Sequence, residues 1–268
     1  MITRVVSALI AVAVVIAATL FFKAQGLYVV CSLAVLGCVL EYSRLTLAKA
    51  KAPLHFQIAF MALAGAVYAL TVISSELLVL ILTSSAVILF AMGITGVRRS
   101  LDLGHTFKLQ SAAIVGLFYV GLFPGLAIAL LGLPNGLTYF FGLLGIVFTG
   151  DTFAYFFGRW LGKAKLLEAV SPNKTIAGSY GGLFGSALAG LILSAFFIPG
   201  ASVVHMILIA IVSGAFAQVG DLFESLVKRL ADVKDSGRIM PGHGGFLDRL
   251  DGVLFAAPVY YVLLRFLT

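Results

Sequence analysis

The sequence predicts an all-α, polytopic integral membrane protein, and three observations carry that prediction. Apolar residues make up 61% of the chain and charged residues only 11%, with a mean hydropathy of +1.12, far outside the range of soluble domains. Apolar runs long enough to cross a bilayer recur from end to end. Basic residues are sorted into alternate loops.

A membrane helix needs about 20 apolar residues, and runs of that order fall at 5–22, 26–43, 54–74, 77–97, 111–132, 136–157, 180–198, 201–222 and 251–267. They predict about nine transmembrane helices. The first has only Arg4 before it and no small-x-small cleavage site after it, which fits a membrane helix better than a signal peptide. Cys31 and Cys38 lie seven residues apart on one helical face, as buried small hydrophobes rather than a disulfide frame. Only Ser75 and Glu76 separate the runs at 54–74 and 77–97, so a tight helical hairpin is expected there. "LPNG" and "IPGA" close further hairpins near Pro134 and Pro199. Residues 1–110 should form an N-terminal group of about four helices and residues 111–268 a catalytic region of about five.

Charge orients these spans, because short loops rich in Lys and Arg stay on the cytoplasmic side. Arg44, Lys49 and Lys51 fall in the second loop, Arg98, Arg99 and Lys108 in the fourth, and Arg159, Lys163, Lys165 and Lys174 in the sixth. The eighth holds Lys228, Arg229, Lys234, Arg238 and Arg249, whereas the odd-numbered loops hold only Lys23. A cytoplasmic amino terminus and an outside carboxyl terminus follow. The net charge of +7 is thus mostly topological and argues against nucleic-acid binding, which would gather the bases on a soluble domain. A basic face does suit nucleotides and anionic lipid headgroups.

Acids discriminate more sharply, since each Asp at membrane depth costs roughly 2.5–3.5 kcal/mol on insertion scales. The chain has only 11, and Asp151, Glu168, Asp221, Glu224, Asp232, Asp235, Asp248 and Asp251 all lie in its second half. Asp151 and Asp221 each follow a glycine at the end of an apolar run, an arrangement that favours a shared polar cavity open to the cytoplasmic side. An aspartate at such a place can instead cap a helix or bond to a neighbouring one. From Asp221, helical spacing puts Glu224, Ser225 and Lys228 on the same face. In "HGGFLDRLDG", Gly244 and Gly245 allow close backbone approach to a ligand, and Asp248 and Asp251 stand one helical turn apart. Oxygen ligands without cysteine suit Mg²⁺ rather than zinc. His55, His105, His205 and His243 form no metal-binding spacing, and "GRWLGK" lacks the length and the Ser/Thr of a phosphate-binding loop.

Ser225-x-Val-Lys228-Arg229, then Lys234-Asp235, then Pro241-x-His243-Gly244-Gly245-Phe-x-Asp248-Arg249-Leu-Asp251 closely resembles the signature of the phosphatidate cytidylyltransferases, or CDP-diacylglycerol synthases. "GDTFAYFFGRWLGK" and "SPNKTIAGSYGG" resemble the family's other cytoplasmic segment. Met240 stands where the signature usually has Leu, Ile or Phe, and Ala177 where a glutamate usually precedes the glycine. The resemblance implies attack by a phosphatidate oxygen on the α-phosphate of CTP, giving CDP-diacylglycerol and pyrophosphate, with Mg²⁺ as one cation or two. It assigns the metal to Asp221 and Asp248, with Asp251 and Asp151 as further ligands or orienters. Lys228, Arg229 and Arg249 would hold phosphates, His243, Gly244 and Gly245 would shape the triphosphate contact, and Lys174, Thr175 and Ser225 would join in binding substrate. It further implies a multi-pass protein of the inner (cytoplasmic) membrane that is able to form a homodimer. The alternatives are a cytidylyltransferase for another lipid phosphate, or an ion or solute transporter. Against transport stand the lack of an internal repeat and the gathering of polar residues on one face.

Overall fold

The structure, a computed structural model, describes residues 2–74, 77–97, 102–239 and 244–267. Its helices are α1 (Ile2–Ser43), α2 (Leu54–Ile73), α3 (Leu78–Val97), α4 (Leu103–Gly116), α5 (Phe123–Ala129), α6 (Gly136–Leu161), α7 (Ile176–Ile192), α8 (Val203–Leu230) and α9 (Leu247–Leu267). Among the described residues, seven helical stretches are long and apolar enough to cross a membrane. The chain is therefore a multi-pass, all-α membrane protein. Its outer side chains agree, with Leu20, Phe21 and Phe22 all strongly exposed, a surface that suits hydrocarbon rather than water.

The predicted runs reappear with differences that have local causes. The first two share α1, which breaks between them at Lys23 (φ 52°, ψ −136°), in the single polar interruption Lys23-Ala-Gln-Gly26. A π-helical stretch joins α4 to α5, so Leu103–Gly132 forms one span. The 77–97 run forms α3, whose apolar part, Leu78–Ile94, is the shorter kind. The turn expected at Ser75 and Glu76 lies outside the described residues, as do Arg98, Arg99, Met240, Pro241 and His243. One element was not expected: β1 (Lys165–Leu167) pairs antiparallel with β2 (Ser171–Thr175), between α6 and α7.

The chain divides into two compact units, Met1–Ala129 with Leu230–Arg249, and Leu130–Arg229 with Leu250–Thr268. In the first, Tyr42 of α1 is buried against Phe60 of α2 and Tyr119, at ring-centre distances of 5.9 and 5.8 Å. Its hydroxyl donates to the Ala112 carbonyl of α4 at 2.9 Å, which satisfies a polar atom that lipid could not. Gly116 makes this approach possible, because a Cβ there would run into the Tyr42 and Phe60 rings.

In the second unit α6 and α7 meet along a seam of small residues. A Cβ at Gly185 would come within 2.8 Å of both Phe153 Cβ and the Thr149 carbonyl, and one at Gly181 would strike Phe157. Between membrane helices, where lipid removes the hydrophobic drive, such close backbone approach is what gives contact area. The seam holds the start of α7 beside the polar half of α6.

Candidate active site

A cavity of about 730 Å³ opens in the second unit, lined by α6, the β-hairpin, α7 and α8. Asp151 comes from α6, Lys174 and Thr175 from β2, and Asp221 from α8. Residues separated by 70 positions in sequence thus share one polar space. The Lys174 ammonium lies 2.7 Å from Asp221 Oδ2, with both side chains partly exposed.

The entrance of α7 is shaped by Thr175, whose Oγ1 accepts from Gly178 N at 3.1 Å and so caps the helix. No acid occupies the first turn of α7; Ala177 is its second residue. The first turn of α7 thus carries no carboxylate that would offset the positive end of the helix.

Asp251 on α9 lies within the fields of Asp221, Asp151 and Lys228, and Asp151 within those of Asp221 and Lys174. Lys228 Nζ is 2.5 Å from Glu224 Oε2, and that carboxyl is buried. Among the described residues no three His, Cys, Asp or Glu side chains stand close enough together to ligate one ion. The donors nevertheless fit Mg²⁺ in kind, being carboxylate oxygens, and Asp221 already takes a cationic partner.

Sequence reasoning missed several residues here. Gln218, one turn before Asp221, donates from Nε2 to the Ser179 carbonyl at 3.1 Å and accepts from the Ser179 hydroxyl. Arg159 also faces the cavity, with Nη1 donating to Tyr155 OH at 3.0 Å. A lone amide inside an apolar run was the available signal for Gln218, since a polar side chain at that depth needs a partner.

Other predicted residues stand elsewhere. Ser225 is half-buried on α8, and Arg229 is exposed, with Nε 3.5 Å from the Val170 carbonyl. His243 lies outside the described residues. Gly244, Gly245, Asp248 and Arg249 belong to the first unit. There Asp248 Oδ2 accepts three hydrogen bonds, from Ser236 N, Ser236 Oγ and Gly245 N, each at 2.8 Å. Gly244 has φ +80°, and a Cβ on it would collide with Asp248, so glycine is required there.

Beside Asp248 stands Glu41 of α1, 1% exposed, an acid of the first half to which sequence reasoning gave no role. Its Oε2 accepts from Ser236 Oγ and from Leu247 N, both at 3.0 Å, and its Oε1 from Phe246 N at 3.1 Å. Ser236 has one hydroxyl proton for two carboxyl groups, so it donates to one at a time.

The fold and the cavity define a polytopic membrane protein with a pocket lined by both acidic and basic side chains. The chain belongs to the cytidylyltransferase family, whose profile matches residues 2–267. A Staphylococcus epidermidis protein named phosphatidate cytidylyltransferase is 42% identical over 158 residues, which cover 59% of this chain and 58% of that protein. Proteins of the same name from Staphylococcus saprophyticus and Bacillus subtilis are 38% identical over 183 residues and 40% over 167. The matched stretches cover 68% of each chain in the first case, and 60% of this chain and 61% of the relative in the second.

Proposed function

We propose that the protein transfers CMP from CTP to phosphatidate, forming CDP-diacylglycerol. The relatives' shared name supports the substrates, and the cavity that joins Asp151, Lys174 and Asp221 is the observation that carries the chemistry. In the transfer a phosphate oxygen of phosphatidate attacks the α-phosphorus of CTP, the bond from that phosphorus to the bridging oxygen breaks, and pyrophosphate leaves.

The reaction asks the protein mainly to align two anions and to offset their charge. Lys174, at the mouth of α7, is placed to hold a phosphate together with the uncompensated helix end. Lys228 and Arg159 extend the positive surface for the remaining oxygens. Asp221, with Asp151 and Asp251 in its field, would hold Mg²⁺. When bound, the ion would neutralise oxygens on the attacked phosphate and its leaving group. The burial of Glu224 keeps Lys228 directed, because a buried carboxylate requires its partner.

This reading places the cavity on the cytoplasmic side of the inner membrane, where CTP is dissolved, in accord with the basic loops around it. The experiment is incubation of purified protein in lipid nanodiscs with CTP, Mg²⁺ and a panel of lipid phosphates, followed by product mass. CDP-diacylglycerol formed only with phosphatidate, and abolished by EDTA, is expected. Product with a different lipid phosphate alone would reassign the acceptor, and solute counterflow without CTP consumption would replace the enzyme by a transporter.

A further inference from the structure

We propose that Glu41 is a positioning residue: a carboxyl from the first long helix that sets the start of α9 and the segment leading to it. The inference rests on the catalytic reading above, since it assigns Glu41 the task of setting the first turn of α9, the helix that carries Asp251, for that reaction.

The first N–H groups of a helix have no partner within it. In α9 these include Phe246 N, just before the helix, and Leu247 N, its first residue, and both donate to Glu41. The cap is thus supplied by a helix some 200 positions away in sequence, not by a local Ser, Thr or Asp. Two oxygens on two successive N–H groups fix both the height of α9's first turn and its rotation about its own axis. Asp248 and Arg249 follow directly on that turn, and Asp251 one turn later.

The same carboxyl reaches the Ser236 hydroxyl, whose one proton it shares with Asp248, while the Ser236 N–H holds Asp248. Glu41 therefore grips both ends of the segment from 236 to 247. The surrounding glycines exist for this fit. A Cβ at Gly237 would strike Glu41 Oε1, one at Gly245 would strike both Glu41 oxygens and Ser236 Oγ, and one at Gly37 would strike the Phe246 ring. Two glycines make room for the Glu41 carboxyl, and a third for the ring of the residue whose N–H it accepts. A residue serving only the bundle's packing would not need its oxygens aimed at the amides beside Asp248. It would also be a poor choice, because a buried acid is costly unless its oxygens are hydrogen-bonded.

The test is Glu41→Gln in nanodiscs, read by turnover and by hydrogen exchange. The amide keeps the size and one acceptor but turns an N–H₂ toward donors. Exchange should speed up in peptides covering 236–239 and 244–248 while α2, α4 and α5 keep wild-type rates. Turnover should fall roughly 10- to 100-fold, the usual range for outer-shell partners, with the KM for CTP changed less than about threefold. Glu41→Asp, which keeps the charge but draws it back, should recover part of the turnover. Ser236→Ala should show the same local exchange pattern and combine with Glu41→Gln non-additively. Wild-type turnover with wild-type exchange in Glu41→Gln would overturn the proposal, as would a loss of protection spread evenly through the helices. If Glu41→Gln does not fold, Ser236→Ala decides by the same two readouts. If the wild-type protein makes no CDP-diacylglycerol, the catalytic reading fails, and the exchange pattern alone decides whether Glu41 holds the start of α9.

Discussion

The two carboxyl clusters differ in what faces them. Around Glu41 and Asp248 the partners are backbone N–H groups and a serine, in a setting where Glu41 is almost wholly buried. Around Asp151 and Asp221 the partner is the Lys174 ammonium, at the wall of a cavity. Backbone donors cannot be exchanged without moving the chain, whereas a lysine can turn away. On the reading proposed above, the first kind of cluster holds shape and the second is available to ligands, although both are built on carboxyl groups.

Four substitutions test that contrast, from the largest expected effect to the smallest. Asp221→Asn should lower turnover roughly 100-fold or more while leaving the melting temperature nearly unchanged. A marked fall in melting temperature would place Asp221 with the shape-holding group. Lys174→Ala should reduce turnover or CTP affinity by roughly 10- to 100-fold. Its cost in stability should stay within about 1 kcal/mol, as for other partly exposed ion pairs. Gly245→Ala works in the opposite sense: its Cβ meets Glu41 and Ser236, so a stability loss of about 1–3 kcal/mol is expected from overpacking, measurable by chemical denaturation in detergent. Thr175→Ala removes the cap of α7 and should cost about 1 kcal/mol, seen as faster exchange in the first turn of that helix.

Much of the architecture was legible because a bilayer imposes a length on every span. The runs at 136–157, 180–198, 201–222 and 251–267 correspond to α6, α7, α8 and α9, though the helices extend beyond the apolar stretches into the polar segments that line the cavity. The β1–β2 hairpin was not legible: Lys165 to Thr175 has no alternation of apolar and polar residues, and the bond that closes its base, from Ile176 N to the Ala164 carbonyl, lies outside the strands. The break at Lys23 lies where the two runs 5–22 and 26–43 were separated in the sequence: the backbone leaves helical geometry there (φ 52°, ψ −136°) and two helices meet at the kink.

For the site, the Gly-Asp pairs at 150–151 and 220–221 pointed to one polar space, and the structure places both aspartates on a single cavity. Glu41 carried the same signal, an acid inside the apolar run 26–43. The reasoning that an acid at membrane depth must be partnered applied to it as fully as to Asp151. What concealed it was distance: its partners, Ser236, Phe246 and Leu247, lie about 200 residues further on, and no local spacing links them.

The ion pair between Lys174 and Asp221 has a thermodynamic consequence. Lys174 is a tethered counter-ion, competing at high local concentration with any free cation for the same carboxylate. A cation that takes Asp221 releases the ammonium toward an incoming anion, and an anion that draws the ammonium away uncovers Asp221. Linkage makes the help reciprocal and equal in both directions, so cation and nucleotide should each tighten the other's binding even where they do not touch.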